Sequence, residues 1–253
     1  MAVTRGGFFG RRLMAARDYP QPEGDSRWAS ALAGLSAALA ESPGKSLRVV
    51  LSNRLMQFRL LPWRDDLPGD AEYRALAQLE FSSVFGTLAD DWTVVLSDEP
   101  PDRTKIAAAI PGESLRAIQA AASAHNSRVV SVQPALKVAM ESFPDNPTSQ
   151  PYCMVIAEQD SLCFSVRDMT GWLWLRQQRV DSDWASGMQR LLEEESRLSK
   201  LELSTASTCI LAPAARQQEI AALNSQGFIL GSPSPALRFP GEIAPKFIYA
   251  WCA

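Results

Sequence analysis

Histidine occurs once, at His125, and cysteine four times, at Cys153, Cys163, Cys209 and Cys252, in a chain of 253 residues. No two cysteines follow a C-x-x-C spacing and no histidine lies near them, so the ligand sets of zinc sites and redox dithiols are missing. The thiols are expected to be reduced and mostly buried. Cys153 and Cys163 fall on neighbouring predicted strands, and whether they share a face depends on the turn between them. Neither a G-x-S-x-G elbow nor a Cys-His signature is present, which speaks against nucleophilic catalysis. His125, beside Asn126 at a predicted helix end, is placed to cap carbonyls.

An excess of one charge is also lacking. With 25 Lys+Arg against 28 Asp+Glu, the formal net charge of -3 supplies no field to gather nucleic acid or an anionic membrane. No apolar run reaches the roughly 18 residues of a membrane-spanning helix. Arg11-Arg12 has the look of a twin-arginine export signal, but Arg17 and Asp18 interrupt the apolar stretch such a signal needs. A cytoplasmic location is expected, with any membrane association made through a partner and none by insertion.

What is present is ordinary globular composition, 46% hydrophobic and 21% charged, enough for two subdomains. Trp28, Leu32, Leu35 and Leu39 recur at helical spacing over Ser26 to Ala40, behind a cap at Ser26 or Asp25 and before a stop at Gly44. Leu47 to Leu51 reads as a buried strand, Ser52-Asn53 as a turn, and Arg54 to Leu61 as a strand with Met56, Phe58 and Leu60 on one face, ended by Pro62. Asp70 to Phe85 is predicted helical up to Gly86. Strands follow at Trp92 to Ser97 and Lys105 to Ile110, then a helix from Pro111 with Leu115, Ile118 and Ala122 inward, and a strand from Arg128 to Val132. A short helix starts at Pro134.

Pro144, Pro147 and Pro151 stand among polar residues without apolar periodicity, which places a subdomain boundary at Phe143 to Pro151. Beyond it, Tyr152 to Ala157, Leu162 to Arg167 and Trp172 to Arg179 read as an antiparallel meander. A helix over Ser182 to Leu198 with Trp184, Met188, Leu191 and Leu198 on one face comes next. Thr208 to Leu211, the helix Ala214 to Asn224, Phe228 to Leu230 and Lys246 to Trp251 complete an α/β unit.

Three further patterns bear on chemistry. Gly44-Lys45-Ser46 matches the tail of a phosphate-binding P-loop, but Leu39 replaces the first glycine and the loop runs from helix to strand, so it reads as a helix stop. The acid clusters Asp65-Asp66, Asp90-Asp91 and Glu193-Glu194-Glu195 offer carboxylates, yet sequence neighbours rarely converge on one ligand. They are read as charged surface. Trp63, Phe81, Phe85 and Trp92 are either core or anchors for a docking partner.

The element order resembles that of the actin-like PilM and GspL cytoplasmic proteins of type IV pilus and type II secretion machines. Val49-Val50-Leu51-Ser52-Asn53 running into Leu60-Leu61-Pro62-Trp63 resembles the family's first strand pair. Asp90-Asp91-Trp92-Thr93-Val94 resembles the strand returning from its inserted small subdomain. Ile106 to Ile110 and Val129-Val130-Ser131-Val132-Gln133-Pro134 resemble the segment closing the first half.

The resemblance implies an α/β, actin-like (ribonuclease H-like) fold with mixed sheets in two subdomains, 1–143 with an inserted unit at about 62–128, and 152–253. It also implies a scaffold or adaptor, not an enzyme, that binds the cytoplasmic segment of a membrane-anchored assembly component. Trp63, Phe81, Phe85 and Trp92 of the inserted unit are the implied anchors.

The departures concern nucleotide. Members that bind it rest phosphates on Gly-containing turns. Here Glu158-Gln159-Asp160-Ser161 replaces an Asp-x-Gly turn, and Ala212-Pro213-Ala214 replaces paired glycines, with Pro213 offering no N–H. Met1 to Pro20 holds Gly6, Gly7 and Gly10 without a preceding Asp, which puts the first strand in doubt. No cofactor is expected. The competing readings are an ATP-responsive regulator of the same fold, or an unrelated enzyme whose active residues leave no motif.

Overall fold

Strands with a different apolar set on each face sort the described residues, 2–7, 10–16, 27–67, 69–142, 150–158, 160–212 and 217–231 of this computed structural model, into layers. The chain runs β1 (Ala2–Gly7), β2 (Gly10–Ala16), α1 (Arg27–Glu41), β3 (Ser46–Leu51), β4 (Gln57–Leu61), α2 (Asp70–Phe85), β5 (Trp92–Leu96), β6 (Lys105–Pro111), α3 (Gly112–Ala124), β7 (Arg128–Pro134) and α4 (Ala135–Ser142). It continues through β8 (Tyr152–Glu158), β9 (Ser161–Asp168), β10 (Gly171–Arg179), α5 (Met188–Ser199), β11 (Thr208–Leu211), α6 (Gln217–Ser225) and β12 (Ile229–Leu230). Among the described residues the strands form a hairpin β1-β2, a parallel pair β3-β7, an antiparallel sheet β4-β6-β5 and a mixed sheet β10-β9-β8-β11-β12.

The mixed sheet is buried on both sides, so its strands are near-continuous apolar runs. Cys153, Val155, Leu162, Phe164, Val166 and Ile210 point to one face, where Trp184, Met188 and Leu192 around α5 and Leu223 of α6 cover them. Met154, Ile156, Cys163, Cys209 and Leu211 point to the other face, into a core shared with Leu51, Met56, Phe58, Ile118 and Leu136 from the first half of the chain. One apolar interior therefore joins residues on both sides of the predicted boundary. Of that boundary, residues 143–149 lie outside the described residues, as do the predicted cap at 25 and 26, the helix start at 214–216, and the predicted strand 246–251.

The sheet β4-β6-β5 is likewise two-sided. Phe58, Ile106, Ala108 and Ile110 face the shared core, while Leu61, Ala107 and Ala109 face a separate cluster closed by Tyr73, Ala77 and Phe81 of α2. Ala107 and Ala109 of β6 lie in the cluster under α2. Gly86 ends α2 at φ 61 and ψ -145, a conformation that a side chain would strain.

Three expectations change. The segments 47–51 and 54–61 do not pair with each other: Asn53–Leu55 makes a single 3-10 turn that sends β3 to β7 and β4 to β6. The sheet β4-β6-β5 runs from Gln57 to Pro111, while α3 packs on α1 and β7. The strand β3 is half-buried, not fully buried, with only Leu51 enclosed. Finally, Ser182 to Gly187 forms turns and α5 starts at Met188, which leaves Leu198 exposed and turns Leu192 and Glu195 inward. The doubtful first strand is present as β1 of the hairpin.

Candidate partner-binding site

Of the four aromatic candidates, three touch one another. Trp92, at the start of β5, lies with its ring centroid 5.8 Å from that of Phe81 and 4.9 Å from that of Phe85, both on α2. Their spacing of four residues along the helix puts the two phenyl rings on one face. The Arg59 guanidinium of β4 sits over both, 5.7 Å and 5.6 Å from the ring centroids. Phe81 is 0% exposed and forms the packed floor of this cluster, while Phe85 and Trp92 are half-buried and reach the surface. Trp63 stands apart, stacked 5.9 Å from Tyr73, with its Nε1–H donated to Asp65 Oδ1 at 2.9 Å. Around this unit Leu79, Val84, Leu88 and Val95 are exposed.

A second constellation, which the sequence reading missed, joins the turn after β3 to the β8–β9 turn. Both oxygens of Glu158 accept the backbone N–H of Asn53, at 3.2 and 3.0 Å. Arg54 pairs with Asp160 at 2.6 Å. Asn53 is 1% exposed: its Oδ1 accepts Leu136 N–H at 2.8 Å in the first turn of α4, and its carbonyl accepts Gln177 Nε2 at 2.5 Å. Burial pushes the Glu158 carboxyl up from its ordinary range, opposed in part by the hydrogen bonds of the 52–54 turn and the Arg54 charge. The residues expected to replace a phosphate-binding turn are thus engaged with the chain itself. Of the second such turn, Ala212 packs beside the α5 face of the mixed sheet, and 213–216 lie outside the described residues.

The remaining candidates resolve as follows. The Gly44 N–H is donated to His125 O at 3.0 Å and the Lys45 N–H to Ser127 Oγ at 3.2 Å, so the first two amides of the P-loop-like tail are occupied. His125 Nε2 lies 3.3 Å from Ser36 Oγ. Ser36 is in the middle of α1, where backbone N–H groups are committed to the helix and cannot hold an oxyanion. Glu195 departs from the surface reading of its acidic run: it is 0% exposed and accepts Trp174 Nε1 at 2.9 Å and Arg176 Nη1 at 2.5 Å.

Among the described residues no three His, Cys, Asp or Glu converge as metal ligands, and no helix is long and apolar enough to cross a membrane. Cys153 and Cys163 lie on opposite faces of the mixed sheet, and burial raises both thiols, Cys153 to about 12.

No family model and no curated protein matches the chain. The arrangement of sheets and helices defines an actin-like fold. It is similar to an actin-like ATPase fold protein of unknown function from Bacteroides thetaiotaomicron, at 8% identity over 87% of this chain and 81% of that one, with a TM-score of 0.55. A solved PilM-PilN type IV pilus biogenesis complex contains a chain that is similar over 99% of this chain and 93% of its own, at 13% identity and a TM-score of 0.60. The cytoplasmic domain of EpsL, an inner membrane component of the type II secretion system of Vibrio cholerae, matches over 87% of this chain and 79% of that one, at 13% identity and a TM-score of 0.51. At these identities the likeness is one of fold.

Proposed function

We propose that this chain is a non-enzymatic cytoplasmic scaffold that binds a component of a pilus or secretion assembly machine and reaches the inner membrane through that partner. The observation that carries the reading is the engagement of Glu158 with Asn53 and of Asp160 with Arg54. Carboxylates of the chain itself stand where nucleotide-binding relatives are expected to present amides to phosphate, and a buried carboxylate repels a polyphosphate. The fold shared with PilM and EpsL supports an assembly role. The half-buried aromatics Trp63, Phe85 and Trp92 offer docking surface, with Phe81 packed against Trp92 and Tyr73 against Trp63.

Two measurements test this. Calorimetric titration with Mg-ATP is expected to give no saturable heat, whereas one-to-one binding at micromolar affinity overturns the reading in favour of an ATP-responsive regulator. Cross-linked co-purification from native membranes is expected to recover an inner-membrane assembly component with or without ATP, and recovery that depends on ATP points the same contrary way.

A further inference from the structure

The outer edge of β5 is a row of backbone groups with no strand beside it among the described residues, since the sheet order is β4-β6-β5. The alternation of the ladder says which residues it presents. Ser97 N–H donates to Ile106 O at 2.8 Å and Gly112 N–H to Asp91 O at 3.1 Å, so the odd-numbered residues of this strand turn their N–H and C=O toward β6. Trp92, Val94 and Leu96 therefore direct theirs outward, at the two-residue spacing that a further strand would match. The side chains of the same three residues face the apolar cluster under α2, so an added strand would lie beside the Phe85 and Trp92 rings. On the opposite face Val95 is 50% exposed, and Leu88, just before the strand, is 74% exposed.

Charge selects the occupant. Asp90 and Asp91 precede β5, and Asp98 and Glu99 follow it; Asp90, Asp91 and Asp98 are exposed. Arg116 answers only Asp91, at 3.5 Å. A second copy of this strand would set aspartates against aspartates in either orientation, which disfavours self-pairing.

The geometry points to β5 as a β-augmentation site for an extended segment with alternating apolar residues between Lys or Arg flanks, supplied by a different protein. Backbone pairing with Trp92, Val94 and Leu96 gives orientation, apolar contact with Phe85, Trp92 and Val95 gives affinity, and the acidic ends choose the flanks. The proposal rests on the adaptor reading and gives the chemistry of its partner.

The test uses the full chain and two synthetic acetylated peptides of alternating valine and threonine, one flanked by paired lysines and one by paired glutamates. Amide exchange read by NMR is expected to show Thr93 and Val95 protected in the free protein, and Val94 and Leu96 becoming protected only with the lysine-flanked peptide. That peptide is expected to bind roughly tenfold or more tightly than the glutamate-flanked one at low salt, with the gap shrinking as salt is added. Asp90→Lys with Asp98→Lys reverses the preference. Val94→Pro removes an outward N–H without touching a β5–β6 bond and abolishes binding at an unchanged far-ultraviolet spectrum.

Equal binding of the two peptides, or binding without protection of Val94 and Leu96, overturns the proposal. A concentration-dependent dimer protecting the same amides overturns it in favour of a second copy. If the charge-reversed chain still co-purifies the same assembly component, the edge is not that partner's site and the adaptor reading stands. If the peptide protects the edge while no assembly component is ever captured, the edge stands and the adaptor reading falls.

Discussion

Glu158 and Asn53, 105 residues apart in sequence, meet through one backbone N–H shared between two carboxylate oxygens. This contact bridges the two halves of the fold at the segment read as replacing the phosphate-holding turn of nucleotide-binding members. Because burial raises the Glu158 carboxyl, its ionised form costs the folded state some stability. In the unfolded chain the group titrates near the ordinary glutamate value of 4.5, so its stabilising contribution is fully present below that pH and is lost as pH rises through the folded value. The melting temperature of the wild type, compared with that of Glu158→Gln, should therefore rise on acidification from about pH 7 to about pH 5. A difference that falls over that range would mean that Asn53 and Arg54 outweigh the burial.

Phe81 and Phe85 separate packing from docking within one helix. Phe81→Ala empties a fully enclosed site and should cost about 3 to 5 kcal/mol. Phe85→Ala opens onto solvent and should cost clearly less, about 1 to 2 kcal/mol. Chemical denaturation of the two variants side by side checks the order, and co-purification of a partner should be weakened by Phe85→Ala under conditions where that variant remains fully folded.

Removing Glu195 leaves the Trp174 N–H and the Arg176 guanidinium without their acceptor. Arg176 is 34% exposed and also lies 3.9 Å from Glu194, which softens the loss, so Glu195→Ala should cost about 2 to 4 kcal/mol. Glu195→Gln, which can still accept from Trp174, should cost less. Equal destabilisation by both would assign the effect to helix packing instead.

The thiols Cys153 and Cys163 should resist modification. Both are buried with pKa raised by burial, so neither presents thiolate at neutral pH, and their opposite faces rule out a bridge between them. Ellman titration of native protein should leave both unreacted, and unfolding should release them. Rapid native labelling at either position would contradict the two-sided sheet.

Gly112 is held close to β5. A Cβ there would stand 2.3 Å from the Asp91 carbonyl oxygen, so Gly112→Ala must displace the start of β5 from the end of β6. Faster amide exchange at Thr93 and Val95 than in the wild type is expected, and unchanged exchange there would show that the backbone accommodates the methyl group.

Element positions were largely legible, because alternation in strands and a stop such as Gly86 after α2 are local signals. Asp70–Phe85 and Thr208–Leu211 match the sequence reading residue for residue. Pairing was less so: β3 and β4 read as neighbours in sequence and separate in space, because the 53–55 turn redirects the chain and no local pattern encodes where a strand finds its ladder. Glu195 was misread because an acidic run marks a wet helix face until a partner strand brings an Arg and a Trp to it. The Asn53 hub left no signal at all, since an asparagine in a short turn is ordinary and its acceptors and donors come from residues 83 to 124 positions away.

The shared interior of the two halves has a mechanical consequence. Swinging one half against the other would bring Met154, Ile156, Leu51 and Phe58 into water, at about 1.5 to 3 kcal/mol for each side chain fully exposed. It would also break the contact of Trp172 Nε1 with Glu99 at 2.7 Å, which bolts the mixed sheet to the loop after β5. A pull applied at β5 therefore meets the cost of opening that interior before β4 and β6 can part from the mixed sheet.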